Sequence, residues 1–254
     1  MPRIFMYNTY FGDCFRIDED SQSLVVDFGV HAGSQIPPPW KRDMICDAVW
    51  NDLNAAKESK KLSMDMLVTH FHEDHIYGLI YLWKNSGKFP SPFFQTFYMP
   101  DIFSGKIATP ATSIILLEEL LSGYYSKRGS CNLCQLCQFL CGNVYHVQLL
   151  KRGDKFFSSK YQVLWPDIDY LKPKFEKLFR SLSTGGQKHF QDLFTIAEEL
   201  SKAILRLTEH GSEDLSPTFA DLQNRLETLQ ASFDWNKKSP SLIPLKDIGD
   251  WASI

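Results

Sequence analysis

The sequence predicts an α/β fold, and three observations carry that expectation. The first third of the chain is a series of short apolar or alternating runs divided by turn residues, the pattern of strands. Met64 to Thr69 is a compact apolar run that leads on into helical spacing, as a buried strand feeding a helix does. The last third repeats apolar residues at helical spacing. With 254 residues, 44% hydrophobic and 22% charged, the chain can build one sizeable domain, or a domain carrying an insertion, around a real core.

Taken in order, Ile4 to Tyr7 reads as a strand and Gly12-Asp13 as a turn. Cys14 to Ile17 and Leu24 to Asp27 read as the arms of a hairpin, with the polar stretch Asp18 to Ser23 as its loop and Phe28-Gly29 as its end. Pro37 to Pro39 break the chain before a helix from about Asp43 to Ser59. The strand at Met64 to Thr69 is followed by a helix from roughly Ile76 to Lys84, and another helix lies near Ala111 to Tyr125. Val144 to Leu150 and Tyr161 to Trp165 read as strands on either side of a turn at Arg152-Gly153-Asp154. Beyond Pro166 the character changes. A helix near Leu171 to Ser183 precedes a helical pair, one marked by Leu193, Ala197, Leu200, Ile204 and Leu207, the other by Phe219, Leu222, Leu226 and Leu229. The expected organisation is a core over residues 1–166, a mainly helical insertion or extension over 167–235, and a segment over 236–254 that returns to the core, with one candidate strand near Ser241 to Pro244.

Composition narrows the function classes. A formal net charge of −3 provides no global basic field for gathering nucleic acid, so such a role requires a local basic groove. Met1-Pro2-Arg3 does not lead into an apolar signal segment, and no run approaches the roughly 18 apolar residues of a membrane helix. Four of the six cysteines crowd between Cys131 and Cys141, unlike a disulfide framework spread over a secreted fold. The expectation is a cytoplasmic protein with no membrane partner.

The chemistry concentrates in Thr69-His70-Phe71-His72-Glu73-Asp74-His75. His70 and His72 stand two residues apart at the end of an extended segment, so their rings point the same way and can reach one metal ion. Asp74 and His75 fall in the opening turn of the next helix and can address a second ion. Two ions about 3.5–4 Å apart can share a water and make hydroxide available at neutral pH. The bland alternative, polar residues of an ordinary strand-to-helix loop, does not explain three histidines and an aspartate within six positions.

His-x-His-x-Asp-His after an apolar strand resembles the signature of the metallo-β-lactamase superfamily. Gly12-Asp13-Cys14-Phe15-Arg16-Ile17, followed by Leu24-Val25-Val26-Asp27-Phe28-Gly29, is similar to that family's opening hairpin. Gly153-Asp154 with Val163-Leu164-Trp165-Pro166 more loosely resembles a strand pair in the branch containing the hydrolase domain of DNA-uptake competence proteins. The resemblance spans roughly residues 1–166. It implies an αββα sandwich of two sheets between helices, and a hydrogen-bonding support of the metal loop by Asp27, whose plainer alternative is a turn residue near Gly29. Two parts of the family pattern have no clear counterpart. A third histidine has His146 as its candidate, although a lone strand histidine is more often structural, and a bridging aspartate has Asp250, which lacks the family's preceding apolar run. Either the sandwich is incomplete here, finished by sequence beyond Ile254 or by a partner chain, or helices after about residue 166 replace much of its second half.

Cys131, Cys134, Cys137 and Cys141 have the spacing of an iron–sulfur run without its following proline, and would also serve as a zinc knot. The same positions share one helical face, and Leu133, Leu136, Phe139 and Leu140 favour a plain buried helix ended by Gly142-Asn143. No nucleophile elbow or phosphate-binding glycine loop is present.

The resulting expectation is a metallo-β-lactamase-type hydrolase holding two zinc ions, or manganese, through His70, His72, Asp74 and His75, with Asp74 catalytic. The competence-type resemblance implies a phosphodiesterase or nuclease acting on a nucleotide or nucleic acid. The rivals are hydrolysis of a small ester, thioester or lactam, and a non-catalytic protein-interaction module with a vestigial site. A basic groove beside His72 separates the first rival from the leading reading, since nucleic acid needs one and a thioester does not.

Overall fold

A computed structural model describes residues 1–10, 12–30, 36–85, 92–126, 132–164, 167–184, 188–210 and 215–232. Among these residues are eight strands and seven α-helices. In chain order they are β1 (Arg3–Met6), β2 (Phe15–Glu19), β3 (Gln22–Val26), α1 (Arg42–Lys60), β4 (Ser63–Leu67), α2 (Glu73–Lys84), β5 (Phe94–Pro100), α3 (Ala108–Ser126), α4 (Asn132–Asn143), β6 (Val144–Leu150), β7 (Lys155–Phe156), β8 (Tyr161–Gln162), α5 (Ile168–Thr184), α6 (Lys188–His210) and α7 (Ser216–Ser232). A short 3-10 turn, Gly105–Ile107, leads into α3.

Six strands form one mixed sheet in the order β1-β2-β3-β4-β5-β6. The β1–β2 and β2–β3 pairs are antiparallel. From β3 onward every pair is parallel, which requires crossovers such as α1 between β3 and β4. α1 buries Ile45, Cys46, Val49, Trp50, Leu53 and Ala56 and ends at Lys61 in the left-handed conformation. The hairpin between β2 and β3 is tighter than the sequence suggests. Asp18 pairs with Ser23 and Glu19 with Gln22, so only Asp20 and Ser21 are left as the turn. The polar residues that read as a loop satisfy one another inside the sheet: Asp18 accepts hydrogen bonds from Arg16 (3.0 Å), Ser23 (2.9 Å) and Lys60 (2.9 Å).

β5 has no counterpart among the expected strands. Its apolar residues are interrupted by Gln95 and Thr96, yet it lies inside the sheet between β4 and β6, and the backbone N–H of Thr96 donates to the buried Asp65 of β4 (3.1 Å). Burial raises the Asp65 carboxyl above the ordinary carboxylate range, against the lowering effect of hydrogen bonds from Thr96 and Tyr98. Of the expected strand at Tyr161 to Trp165, Tyr161–Gln162 is extended and pairs with β7 in a separate two-stranded hairpin, Val163 and Leu164 are not in a strand, and Trp165 lies outside the described residues.

Alternation along the strands divides the core in two. Val25, Met66, Phe97 and Met99 join the main cluster with the helices. Their neighbours Leu24, Tyr98 and Leu150 join a smaller cluster with Phe156 and Phe157. The β7–β8 hairpin therefore covers the sheet face that a second sheet covers in a full sandwich. On the helical side, α6 packs against α3 and α7, and α4 against α2 and α7. Leu193, Leu200 and Phe219 share one continuous core with Phe94 and Met99, so α6 and α7 are integral to the fold that carries the sheet. Among the described residues the fold is α/β, with a mixed six-stranded sheet, seven α-helices and β7–β8 as the only further sheet. Residues 236–254, including the expected strand near Ser241 and Asp250, lie outside the described residues. Among the described residues no helix is long and apolar enough to cross a membrane.

Candidate metal centre

The turn between β4 and α2 lies at the carboxyl end of a central parallel strand, where open α/β sheets place their ligand sites. Val68 continues the sheet by donating its N–H to the Tyr98 carbonyl (2.9 Å). Phe71 then turns inward, buried with its ring 5.7 Å from that of Phe103, and period-two alternation sends His70 and His72 the other way. His72 caps α2: its carbonyl accepts from the N–H groups of His75 (3.0 Å) and Ile76 (3.2 Å). Asp74 and His75 sit in the first turn of that helix. Glu73 turns away to Arg42 (2.6 Å).

These side chains converge. Ring centroids of His70 and His75 are 3.6 Å apart, and those of His70 and His72 are 5.0 Å apart. One donor atom each from His70, Asp74 and His75 lies within 4.8 Å of the others, and so does one each from Asp13, Asp27 and His75. The Nε2 atom of His75 is 3.7 Å from Asp13 and 3.9 Å from Asp74. The Nε2 of His72 is buried and makes no hydrogen bond, although Glu118 of α3 stands 3.3 Å away. A buried imidazole nitrogen left without a hydrogen bond is the kind of donor a metal satisfies. On chemistry and placement, these residues fit a metal ion.

Asp27 organises the turn. It is buried, at φ 56, a left-handed conformation that aspartate tolerates better than most residues. Its Oδ1 accepts the backbone N–H of Thr69 (2.8 Å) and its Oδ2 accepts the Thr69 hydroxyl (2.7 Å). The same Oδ2 lies 2.9 Å from His75 Nδ1. A carboxylate only accepts, so the His75 proton sits on Nδ1 and the Nε2 lone pair is left for a metal. The Thr69 hydroxyl has spent its one proton on Asp27, so its oxygen accepts from His70 Nδ1, 3.1 Å away. That fixes the His70 tautomer in the same sense. Asp27 thus orients His75 directly and His70 through Thr69.

Electrostatics set the two imidazoles apart, and a metal at His75 would have to displace the proton that its raised value favours. Burial, joined by the nearby His75 and His72, pushes the His70 imidazole down to about 4, so near neutral pH it is an uncharged donor. Burial also pulls His75 down, but its hydrogen bond to Asp27 and the charges of Asp27, Asp74 and Asp13 outweigh that and leave it above the usual histidine value.

The opening hairpin is stitched to this turn through the backbone. Asp13 N–H donates to the Asp74 carbonyl (3.0 Å), Phe28 N–H to the His75 carbonyl (2.8 Å), and Gly78 N–H to the Phe28 carbonyl (2.7 Å). Gly29 passes so close that a Cβ there would lie 1.4 Å from the Asp74 carbonyl oxygen. Only glycine allows that approach.

Other residues singled out in the sequence lie elsewhere. His146 is exposed on β6 opposite Thr96, at the level of Asp65 and well short of the turn. Cys134 and Cys137 are buried in α4, and Cys141 is half-buried there with its thiol pushed up to about 11 by burial against a hydrogen bond to Ser216. The clusters able to hold a metal among the described residues do not include α4. Cys131 and Asp250 lie outside the described residues. Two acidic residues join the site that the sequence pattern does not single out for it. Asp13 reads there only as a turn residue. Glu118 belongs to an acidic pair in the otherwise apolar run Ile114 to Leu121, and that pair is a usable signal.

No protein-family model matches the chain, and neither the curated proteins nor the solved structures contain a match.

Proposed function

We propose that the chain is a metal-dependent hydrolase of phosphodiesters, with a metallo-β-lactamase-type site set on an architecture whose second half is largely helical. The observation that carries this reading is the convergence of His70, Asp74 and His75 within 4.8 Å at one strand end, with the His72 ring centroid 5.0 Å from that of His70 and its Nε2 buried without a hydrogen bond. His70 and His72, with Glu118 beside His72, would hold one ion, and Asp74 and His75, with Asp13, the other; His70 also lies within reach of the second set. Zinc suits this imidazole and carboxylate set, and manganese is the alternative. Bound there, the ions supply Lewis acidity and a water acidic enough to act as a nucleophile near neutral pH.

The chain's own residues supply orientation. Asp27 keeps the protons of His75 and, through Thr69, of His70 on Nδ1, so both present Nε2. Asp74, more open than His75, is the group placed to orient an attacking water and take its proton. Phe71 and Phe103 hold an apolar floor beneath the turn.

Cleavage of bis-p-nitrophenyl phosphate by the metal-loaded protein tests the proposal. Activity is expected to need metal and to vanish in Asp74→Ala with the circular dichroism spectrum unchanged. A wild type inert towards this ester but active on a thioester or lactone defeats the phosphodiesterase reading.

A further inference from the structure

A second feature lies at the same end of the sheet. A cavity of about 530 Å³ is lined by Asp101, Lys106, Lys151, Arg152, Asp167 and Lys172 among others. Arg152 is paired with Asp167. Among the described residues no carboxylate pairs with the ammonium groups of Lys106, Lys151 or Lys172, so the lining keeps a positive excess despite the chain's net charge of −3. The volume falls in the range of small-molecule sites.

Register ties this cavity to the metal turn. Met66 of β4 pairs with Phe97 of β5, which pairs with Val147 of β6. Pro100 pairs with Leu150 and the Asp101 N–H donates to the Leu150 carbonyl, so Asp101 and Lys151 leave the sheet together, at the same carboxyl end as the β4–α2 turn that carries His70. β4 and β6 are two strand spacings apart, roughly 10 Å. The segment from Asp101 to Ile107 that lines the cavity also carries Phe103, the residue against which Phe71 packs.

Asp101 adds an independent observation. Its Oδ2 accepts the Ser104 hydroxyl (2.7 Å), while its Oδ1 is buried with no hydrogen-bond partner. A buried acceptor without a donor is costly, and a ligand hydroxyl or amino group would satisfy it. The lining therefore asks for a ligand carrying both an anion and a hydrogen-bond donor.

We propose that this cavity is a phosphate subsite of the metal centre, holding a phosphate next to the scissile one on a nucleic-acid strand while Asp101 accepts from the sugar or base. The subsite rests on the phosphodiesterase reading for its role, but binding can be measured without turnover. Anisotropy of a short fluorescein-labelled oligothymidylate, titrated with the full chain in chelator, reads the subsite alone. Binding is expected to weaken by about tenfold or more in Lys106→Ala/Lys151→Ala, with an unchanged melting temperature. The slope of log affinity against log salt should become shallower by about 0.7 for each phosphate that the protein no longer neutralises. Equal affinity and equal slope in the wild type and the double variant, or no binding by the wild type, overturns the subsite. Hydrolysis of bis-p-nitrophenyl phosphate by the wild type separates the two ideas. If that ester is cleaved while the oligonucleotide binds no better to the wild type than to the double variant, the subsite falls alone. If the oligonucleotide binds through these lysines but no phosphodiester is cleaved, the subsite stands and the phosphodiesterase reading falls.

Discussion

Asp27→Asn is the most informative single change, because it keeps shape and backbone while reversing one hydrogen bond. Asparagine tolerates the left-handed conformation Asp27 occupies, so no backbone strain is added. Its amide oxygen can still accept the Thr69 N–H, as Oδ1 does now. The loss falls at Oδ2, which serves both the Thr69 hydroxyl and His75 Nδ1. An amide NH2 there donates, so His75 Nδ1 must become an acceptor and its proton moves to Nε2, the atom the metal needs. A hydrogen bond to a charged group contributes about 1.5–3 kcal/mol. At about 1.4 kcal/mol per decade, that corresponds to roughly 10–100-fold in metal affinity, the range seen when such supporting partners are removed. Zinc affinity, measured by competition with a chromophoric chelator near neutral pH, should fall by that factor with the circular dichroism spectrum unchanged. A variant that binds zinc as tightly as the wild type would refute the tautomer argument.

The remaining predictions probe other links. The wild type should carry transition metal after reconstitution and His72→Ala should lose most of it; elemental analysis finding no zinc, manganese or iron in the wild type removes the basis for a metal centre. Gly29→Ala should cost several kcal/mol, because its Cβ would lie 1.4 Å from the Asp74 carbonyl oxygen and backbone cannot yield; a melting temperature near wild type contradicts that packing. Asp18→Asn should destabilise the protein by about 2–3 kcal/mol at neutral pH, since it removes a carboxylate that accepts from the buried Arg16 and Ser23 and from the exposed Lys60. Burial alone would raise the Asp18 carboxyl, but the bonds from Lys60 and Ser23 and the charge of Arg16 hold it below the usual range. Its contribution is therefore present above the ordinary carboxylate pKa and lost as pH falls through the lowered one, so denaturation curves of wild type and variant should converge in acid. A gap that persists there excludes Asp18 ionisation as its source.

Local signals in the sequence are readable and distant ones are not. The helices α6 and α7 follow from apolar residues at helical spacing, and the metal turn from donors within six positions. β5 escapes such a reading because a strand takes its stability from its neighbours more than from its own sequence: it lies between β4 and β6, and the Thr96 N–H meets Asp65 one strand away. Asp13 and Glu118 reach the turn across long stretches of chain, which no local pattern encodes. The cysteine spacing fits both a metal knot and a helix face, and for Cys134 and Cys137 burial in α4 is what the fold shows. The small β7–β8 hairpin cannot be foreseen as a cover, because two-residue strands carry almost no periodicity.

Placing Phe71 between His70 and His72 also bears on how fast an ion at the proposed centre would come and go. His70 and His72 cannot swing outward as a unit without drawing that ring out of the core and away from Phe103. Exposing such a side chain costs about 1.5–3 kcal/mol. Exchange of the ion would then wait on a local opening of the protein interior, and its rate would answer to the fit between two phenyl rings that never touch the ion.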